Sequence, residues 1–232
     1  MQMKKSLSFL FLFLVASVCS FAQSGLIAGA GYSVAWLKTS EFTSFLTSVN
    51  AANPGLTKQF ETEKPYRGYN IFAGSRSKKS AFMLSYQQIF SKSTAEGVIP
   101  LISPDAGVFE ISTRHSTVDM SGDYFLIPNL AFGGQFGYTY STIRNGQYQL
   151  SSGDSKNVVD KKGGFQVGVN AIIEVSLGSS LFFQLKPYYM WALYNMNMNN
   201  VASIYLGKGN SAATTSDLRG MGIDFKLGIK IL

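Results

Sequence analysis

The sequence predicts an all-β protein, an eight-stranded antiparallel up-and-down transmembrane β-barrel formed by residues 23–232, and three observations carry that prediction. After the opening two dozen residues the chain runs as a succession of period-two segments, each with one apolar face and one face of glycine or polar residues. The spacers between these segments alternate long and short, as a barrel requires when its tight turns lie on one side of a membrane and its loops on the other. Composition agrees: aromatic residues match charged residues at 14% each and glycines number 23, a balance that favours strands and tight turns over helices. Prolines fall in loops or near strand ends.

Residues 1–22 read as a cleaved secretory signal. Lys4 and Lys5 form its positive start, Phe9 to Val18 its apolar core, and Ser20-Phe21-Ala22 puts small residues at −3 and −1 of a cut before Gln23. That core is too short for a spanning helix. Valine directly before Cys19 argues against lipoprotein processing, and Cys19 is the only cysteine, so the mature chain has no thiol chemistry.

The first strand, residues 25–37, turns Leu26, Ala28, Ala30, Tyr32, Val34 and Trp36 to one side. The second, 67–76, carries Tyr69, Ile71 and Ala73 outward, and after a turn at 77–80 the third, 81–91, shows Phe82, Leu84, Tyr86 and Phe90. The fourth, 109–126, is the least regular. Val118, Met120, Tyr124 and Leu126 face lipid near its end, but Phe109 and Ile111 near its start have the opposite parity, which calls for either a β-bulge or departure from the membrane. Pro128-Asn129 leads into the fifth, with Phe132, Phe136, Tyr138 and Tyr140 outward. The sixth, 164–177, presents Phe165, Val167, Val169, Ile173 and Val175, and the seventh, 181–194, presents Phe183, Leu185, Tyr189, Trp191 and Leu193. The eighth ends the chain with Met221, Ile223, Phe225, Leu227, Ile229 and Ile231 against Gly222, Asp224, Lys226, Gly228 and Lys230.

An even strand count returns both ends to the periplasmic side, so the long spacers at 38–66, 92–108, 145–162 and 197–218 are predicted extracellular loops. Four outward-running strands then carry an aromatic girdle at the outer headgroup level: Tyr32 and Trp36, Phe90, Tyr138 and Tyr140, Tyr189 and Trp191. The first loop holds a short helix. Thr39 or Ser40 caps it, Glu41 lies in its first turn, Phe42, Phe45, Leu46 and Val49 recur at helical spacing, and Asn53-Pro54-Gly55 stops it. Such a helix either packs over the barrel mouth or docks a partner.

Eight strands enclose a lumen that side chains just fill. The inward set contains Asp119, Asp123, Glu174 and Asp224 with Lys186, Lys226 and Lys230, a near balance that predicts a plug of paired charges, since unpaired buried charge is prohibitively costly. Inward glycines such as Gly31 and Gly228 leave room for the long side chains. A narrow ion path is the alternative.

The residues resemble the small eight-stranded outer-membrane barrels of the OmpA and OmpX type, and the Bacteroidetes outer-membrane β-barrel family in particular, with a short signal ending Ala-Gln and a closing strand Gly-Ile-Asp-Phe-Lys-Leu-Gly-Ile-Lys-Ile. Members of that family commonly end in an aromatic residue, whereas this chain ends Ile231-Leu232. The resemblance implies a Gram-negative integral outer-membrane protein, inserted by the barrel-assembly machinery and surrounded by outer-membrane lipid and lipopolysaccharide.

No motif predicts catalysis, a cofactor or a metal. His115 is the only histidine, so a multi-histidine metal site is impossible. Beside Ser116 or Thr117 near the outer rim it is the one candidate base for lipid hydrolysis, but Ser116 points to the opposite face and no acid lies at suitable spacing. Met196 and Met198 read as packing rather than copper ligands. Arg114 at the rim suits lipopolysaccharide phosphates, and Arg76, Lys78 and Lys79 suit inner-leaflet headgroups. Charges in the loops alternate in sign, as in Asp154, Lys156, Asp160 and Lys161, so the net +7 forms no stripe and nucleic acid is excluded as a partner. The expected role is non-enzymatic: envelope integrity, adhesion or partner docking through the loops. The alternatives are an accessory subunit of a secretion or uptake complex, which needs an envelope protein partner, and a narrow porin-like channel.

Overall fold

The computed structural model describes residues 25–38, 40–61, 64–149, 153–208 and 215–231; the predicted signal peptide lies outside the described residues. Nine strands and two helices follow in order: β1 (Gly25–Lys38), α1 (Ser40–Ala52), β2 (Leu56–Lys58), β3 (Tyr66–Arg76), β4 (Ser80–Ile99), β5 (Ser103–Ile127), β6 (Leu130–Tyr148), β7 (Ser155–Ser176), β8 (Leu181–Asn197), α2 (Asn199–Leu206) and β9 (Thr215–Ile231). Eight of the strands close a ring of antiparallel neighbours, with β1 joined to β9 on one side and to β3 on the other, and β4 paired with β5. The three-residue β2 adds to the far end of β4, outside the ring. No described helix is long and apolar enough to cross a membrane; the strands supply the crossing.

Alternation sets the two faces of the wall. Ile71, Val118, Leu193 and Leu227 are each more than half exposed, while Asn70, Thr117 and Lys226, one residue away from three of them, are buried in the lumen. An apolar outer band with a polar inner face suits lipid outside and hydrogen bonds within. The ladder of β1 with β9 runs unbroken from Leu26↔Ile231 to Lys38↔Arg219, so the barrel closes without a free edge.

Two sequence expectations need correction, and an alternative left open on β5 is decided. The second and third predicted loops are largely ladder: β4 and β5 stay paired out to Gly97↔Gly107, and β6 and β7 out to Gln147↔Ser155. A crossing takes about 9–11 residues, so the 25-residue β5 projects well beyond the lipid. This projection also explains the parity change on β5. No register shift separates Phe109 from Asp123 on β5, so there is no bulge; above the membrane the strand simply turns its apolar side inward. Finally, Pro187 lies in the middle of β8, not near an end, and the β7–β8 ladder is interrupted there between Asn170↔Tyr188 and Ile173↔Leu185, as expected where a strand lacks an N–H.

The interior is stratified. Near the short turns Ile27, Phe72, Met83, Phe125, Ile172 and Phe182 form an apolar floor. At the extracellular end Phe45, Leu46, Val49, Phe60, Phe109, Ile111, Ile143, Met196, Met198, Val201 and Tyr205 form an apolar cap. Between them the lumen is polar. Phe182 fits the floor because it packs against Gly228, where any Cβ would collide with its ring.

Candidate functional site: the plugged lumen and the outer rim

Asp224 on β9 is the centre of the polar layer. Its Oδ1 accepts from Ser33 Oγ at 2.7 Å and from Gln87 Nε2 at 3.0 Å, and its Oδ2 lies 3.6 Å from Lys226 Nζ. Gln87 Nε2 is also 3.2 Å from the Tyr188 hydroxyl, and Asn70 donates to Ser33 Oγ at 2.8 Å. Side chains from five strands, β1, β3, β4, β8 and β9, thus converge around one carboxylate. Asp119 lies within electrostatic reach of Lys186 and Lys226. Asp123 accepts hydrogen bonds from Asn170 and from Ser121. Of the seven predicted inward charges, Asp119, Asp123, Asp224, Lys186 and Lys226 share the middle layer with uncharged chains of hydrogen bonds such as Thr117–Thr139–Gln166, while Glu174 and Lys230 lie lower.

Glu174 and Lys230 belong to a second cluster at the periplasmic mouth, below the floor. Lys230 Nζ is 3.5 Å from Glu174 Oε1, Gln184 Nε2 donates to Oε2 at 2.9 Å, and Arg76 Nε is 3.7 Å from Oε2. Arg76 was expected at lipid headgroups. Instead its guanidinium lies 3.3 Å from the centre of the Phe125 ring and only 11% of its side chain is exposed. It supplies the fourth inward cation, matching four inward carboxylates. The sequence concealed it because it sits at a strand end, where inward and outward directions are hardest to distinguish.

The aromatic residues of the predicted girdle all leave the outer face. Tyr32, Trp36, Phe90, Tyr138, Tyr140 and Trp191 are exposed, and Tyr189 packs its ring 4.6 Å from that of Trp191. They do not share one height: Tyr32 pairs with Tyr69 and Phe225, four residues down β1 from Trp36. It therefore lies within the apolar band.

His115 faces the lumen, 3% exposed, and its Nδ1 meets Ser141 Oγ at 2.7 Å, not Ser116 or Thr117. Ser141 Oγ is in turn 2.7 Å from the Tyr194 hydroxyl, and Tyr66 packs on the imidazole at 5.0 Å. The other ring nitrogen, Nε2, is buried with no partner among the described residues. A serine hydrolase pairs its histidine with a carboxylate and an open serine; among the described residues no carboxylate reaches the His115 ring, and Ser141 is fully buried. Met196 and Met198 are buried in the apolar cap.

Sequence reasoning missed the extracellular superstructure. The helix α1 forms as expected, burying Phe42, Phe45, Leu46 and Val49 over the mouth. Its partner α2 has no side-chain cap from its N-cap residue Met198; Asn197 Oδ1 accepts the Asn199 N–H at 3.3 Å, and the next two amides are held non-locally, Asp160 on β7 accepting the backbone N–H of Val201 at 2.8 Å and of Asn200 at 3.3 Å. Burial pushes the Asp160 carboxyl up from its ordinary value, and these amides oppose the shift. Tyr205 of α2 packs edge-on against Phe60 at 5.6 Å and Phe45 at 6.5 Å, and its hydroxyl donates to Asn145 at 2.6 Å. Burial on this scale stabilises by about 1.5–3 kcal/mol per large apolar side chain. Asn50 then pins residue 60 through paired 2.9 Å backbone bonds.

On the outside of the projecting sheet, Glu110 is almost fully covered by Lys92, at 2.7 Å, and Lys156, at 2.5 Å. Burial alone pushes this carboxyl up, but hydrogen bonds and charge from Lys156 and Lys92 outweigh it and hold the group below its ordinary value.

No protein-family model matches the chain, and no curated protein matches it. Solved structures do. The chain is similar to Ail, the attachment invasion locus protein of Yersinia pestis, crystallised with the heparin analogue sucrose octasulfate, at TM-score 0.50 and 9% identity over 90% of this chain and 99% of Ail. It is also similar to the outer membrane protein OprG of Pseudomonas aeruginosa, at TM-score 0.46 and 10% identity over 90% and 96% of the two chains. The outer membrane protease OmpT of Escherichia coli follows at TM-score 0.36 and 11% identity over 90% and 94%. At such identities the likeness concerns architecture and transfers no activity. The fold is that of a small outer-membrane β-barrel.

Proposed function

We propose that the chain is a non-enzymatic integral outer-membrane protein of the Gram-negative cell envelope, exported by a cleaved signal at residues 1–22 and inserted by the barrel-assembly machinery. It works as a sealed peg that holds a rigid extracellular platform for adhesion, envelope integrity or docking of a protein partner. The observation that supports this reading most is the stratified lumen. An apolar floor around Phe72 and Phe182 and an apolar cap around Phe45 and Tyr205 bracket a paired polar layer. A conducting pore needs a continuous wetted path, and two dry layers interrupt it. The inward charges serve as a plug: Asp119, Asp123 and Asp224 with Lys186 and Lys226 in the middle, and Glu174 with Arg76 and Lys230 at the periplasmic mouth. The outward rings of Trp36, Phe90, Tyr138, Tyr140, Tyr189 and Trp191 serve as the girdle at the outer headgroups.

The ordered α1, β2 and α2 both close the lumen and present the surface that we assign to contact outside the membrane. A deletion strain, complemented with the intact chain or with a chain lacking residues 40–61, tests this. Detergent sensitivity, surface attachment or a lost crosslinked partner should be restored by the intact chain alone. Full rescue by the truncated chain would contradict the platform reading.

A further inference from the structure

His115, the only histidine in the chain, has no part in the sealed peg or in the platform. It lies in the lumen where the polar layer meets the apolar cap, above residues 118–126 of β5, whose outward side chains cross the lipid. Everything packed on it is neutral. Ser141 of β6 meets Nδ1 at 2.7 Å and is itself 2.7 Å from the Tyr194 hydroxyl of β8. Tyr66, at the start of β3, packs its ring at 5.0 Å, Ile89 of β4 stands opposite in the ladder, and Thr113 and Thr117 flank it on its own strand. The titratable groups that face it are therefore the two tyrosines, and among the described residues no charged side chain acts on the ring. Its Nε2 is buried with no hydrogen-bond partner.

A proton on Nε2 would place a cation in this pocket without a counter-charge. Burial accordingly pulls the His115 pKa down from the ordinary 6.5 to about 4. The closed form is therefore fully stable above pH 6.5, and a form that wets the ring gains on it as pH falls from 6.5 toward 4, because the wetted ring takes up the proton more readily. A route for water is in place. On the extracellular side a cleft lined by Phe42, Glu61, Lys64 and Ser93 ends on Tyr66 and Thr113. Thr113 Oγ1 donates to the Tyr66 hydroxyl at 3.0 Å and closes the cleft over the ring. Tyr66 is the first residue of β3, one step beyond the last rung of the β3–β4 ladder at Arg67↔Phe90, and only Ala35 of β1 is its ladder partner. It can swing away with little loss of sheet.

We propose that His115 is an acid-sensing latch beneath the extracellular cap: the uncharged ring keeps Tyr66 and Thr113 closed over it, and uptake of a solvent proton at Nε2, with water entering through the cleft, parts that pair and loosens the outer end of β3. The latch rests on the closed barrel and its cap, and it adds to the platform reading a condition under which the platform relaxes. The test follows hydrogen exchange of the full mature barrel in detergent micelles between about pH 7.5 and about pH 5, corrected for the intrinsic pH dependence of exchange. The open population at residues 64–69 should rise roughly tenfold or more over that range, with the β1–β9 ladder unchanged. His115→Gln, which keeps a neutral polar group, should abolish the rise. The range ends above the ordinary carboxyl value of 4.5, so the acid step of Glu110 stays outside it. The single imidazole supplies a second reading on the unmodified protein: its ring resonance should keep its neutral position through pH 6.5 while exchange rises. A ring that titrates at 6.5, exchange that does not change with acid, or an equal rise in His115→Gln would each overturn the proposal. The ring titration decides the matter even if the variant misfolds. Heat-dependent gel migration of the unmodified protein is read in parallel: its absence would overturn the barrel reading itself, a failure distinct from loss of the acid response.

Discussion

Gln87 and Asp224 meet across the barrel: the amide of one, on β4, donates to the carboxylate of the other, on β9, at 3.0 Å although β3 and β1 stand between them in the wall. A contact of this kind exists only if the sheet is closed and the lumen filled. Replacing Asp224 with leucine leaves Lys226 buried without its nearest counter-charge, a change that costs about 3–5 kcal/mol. Gln87→Leu, which removes a neutral donor, should cost about 1–3 kcal/mol. Denaturant unfolding in detergent micelles measures both, and equal losses would contradict the central place given to Asp224.

The cap should fail before the barrel does. Phe45 is fully buried beside Tyr205, so Phe45→Ala should cost about 3–5 kcal/mol of cap stability. The expected sign is rapid cleavage of residues 40–61 by external protease, with heat-dependent gel migration of the barrel unchanged. Unaltered protection would mean that the helix is held by something other than this core.

Asp160→Ala removes the acceptor for the Asn200 and Val201 amides in the first turn of α2. Loss of a helix cap costs about 0.5–2 kcal/mol. Hydrogen exchange should accelerate at residues 199–206 and stay unchanged in β9, whose ladder with β1 is independent of the helix.

Acid should loosen the projecting sheet locally. The Glu110 carboxyl is held below its ordinary value of 4.5, so its pairing with Lys92 and Lys156 contributes fully above pH 4.5 and is lost as pH falls through the lower, folded-state value. Hydrogen exchange at residues 107–111 and 145–148 should therefore rise in that acid range. Glu110→Gln should show the raised exchange already at neutral pH and no further acid step from this group.

Much of this was legible in the sequence, and the reason is the environment. Lipid demands one uninterrupted apolar face per strand, so Leu227 and Lys226 declare their sides by alternation alone. The first-loop helix was readable because Phe42, Phe45, Leu46 and Val49 share a stripe and Asn53-Pro54 ends it. Above the membrane the rule inverts. Water lies outside, apolar residues such as Phe109 and Ile111 turn inward, and the strand continues through stretches that resemble loops. The helix α2 was hidden because its cap, Asp160, is supplied from another strand. The apolar floor was hidden for a similar reason: Phe72, Phe125 and Phe182 occupy the parity reserved for polar side chains, and only the closed ring brings them together.

The most direct test of the central claim is planar-bilayer conductance of the mature barrel, with insertion verified by heat-dependent gel migration. A barrel sealed by a floor, a plug and a cap should insert and pass no steady current, whereas a stable open level of porin size in the unmodified protein would contradict the account.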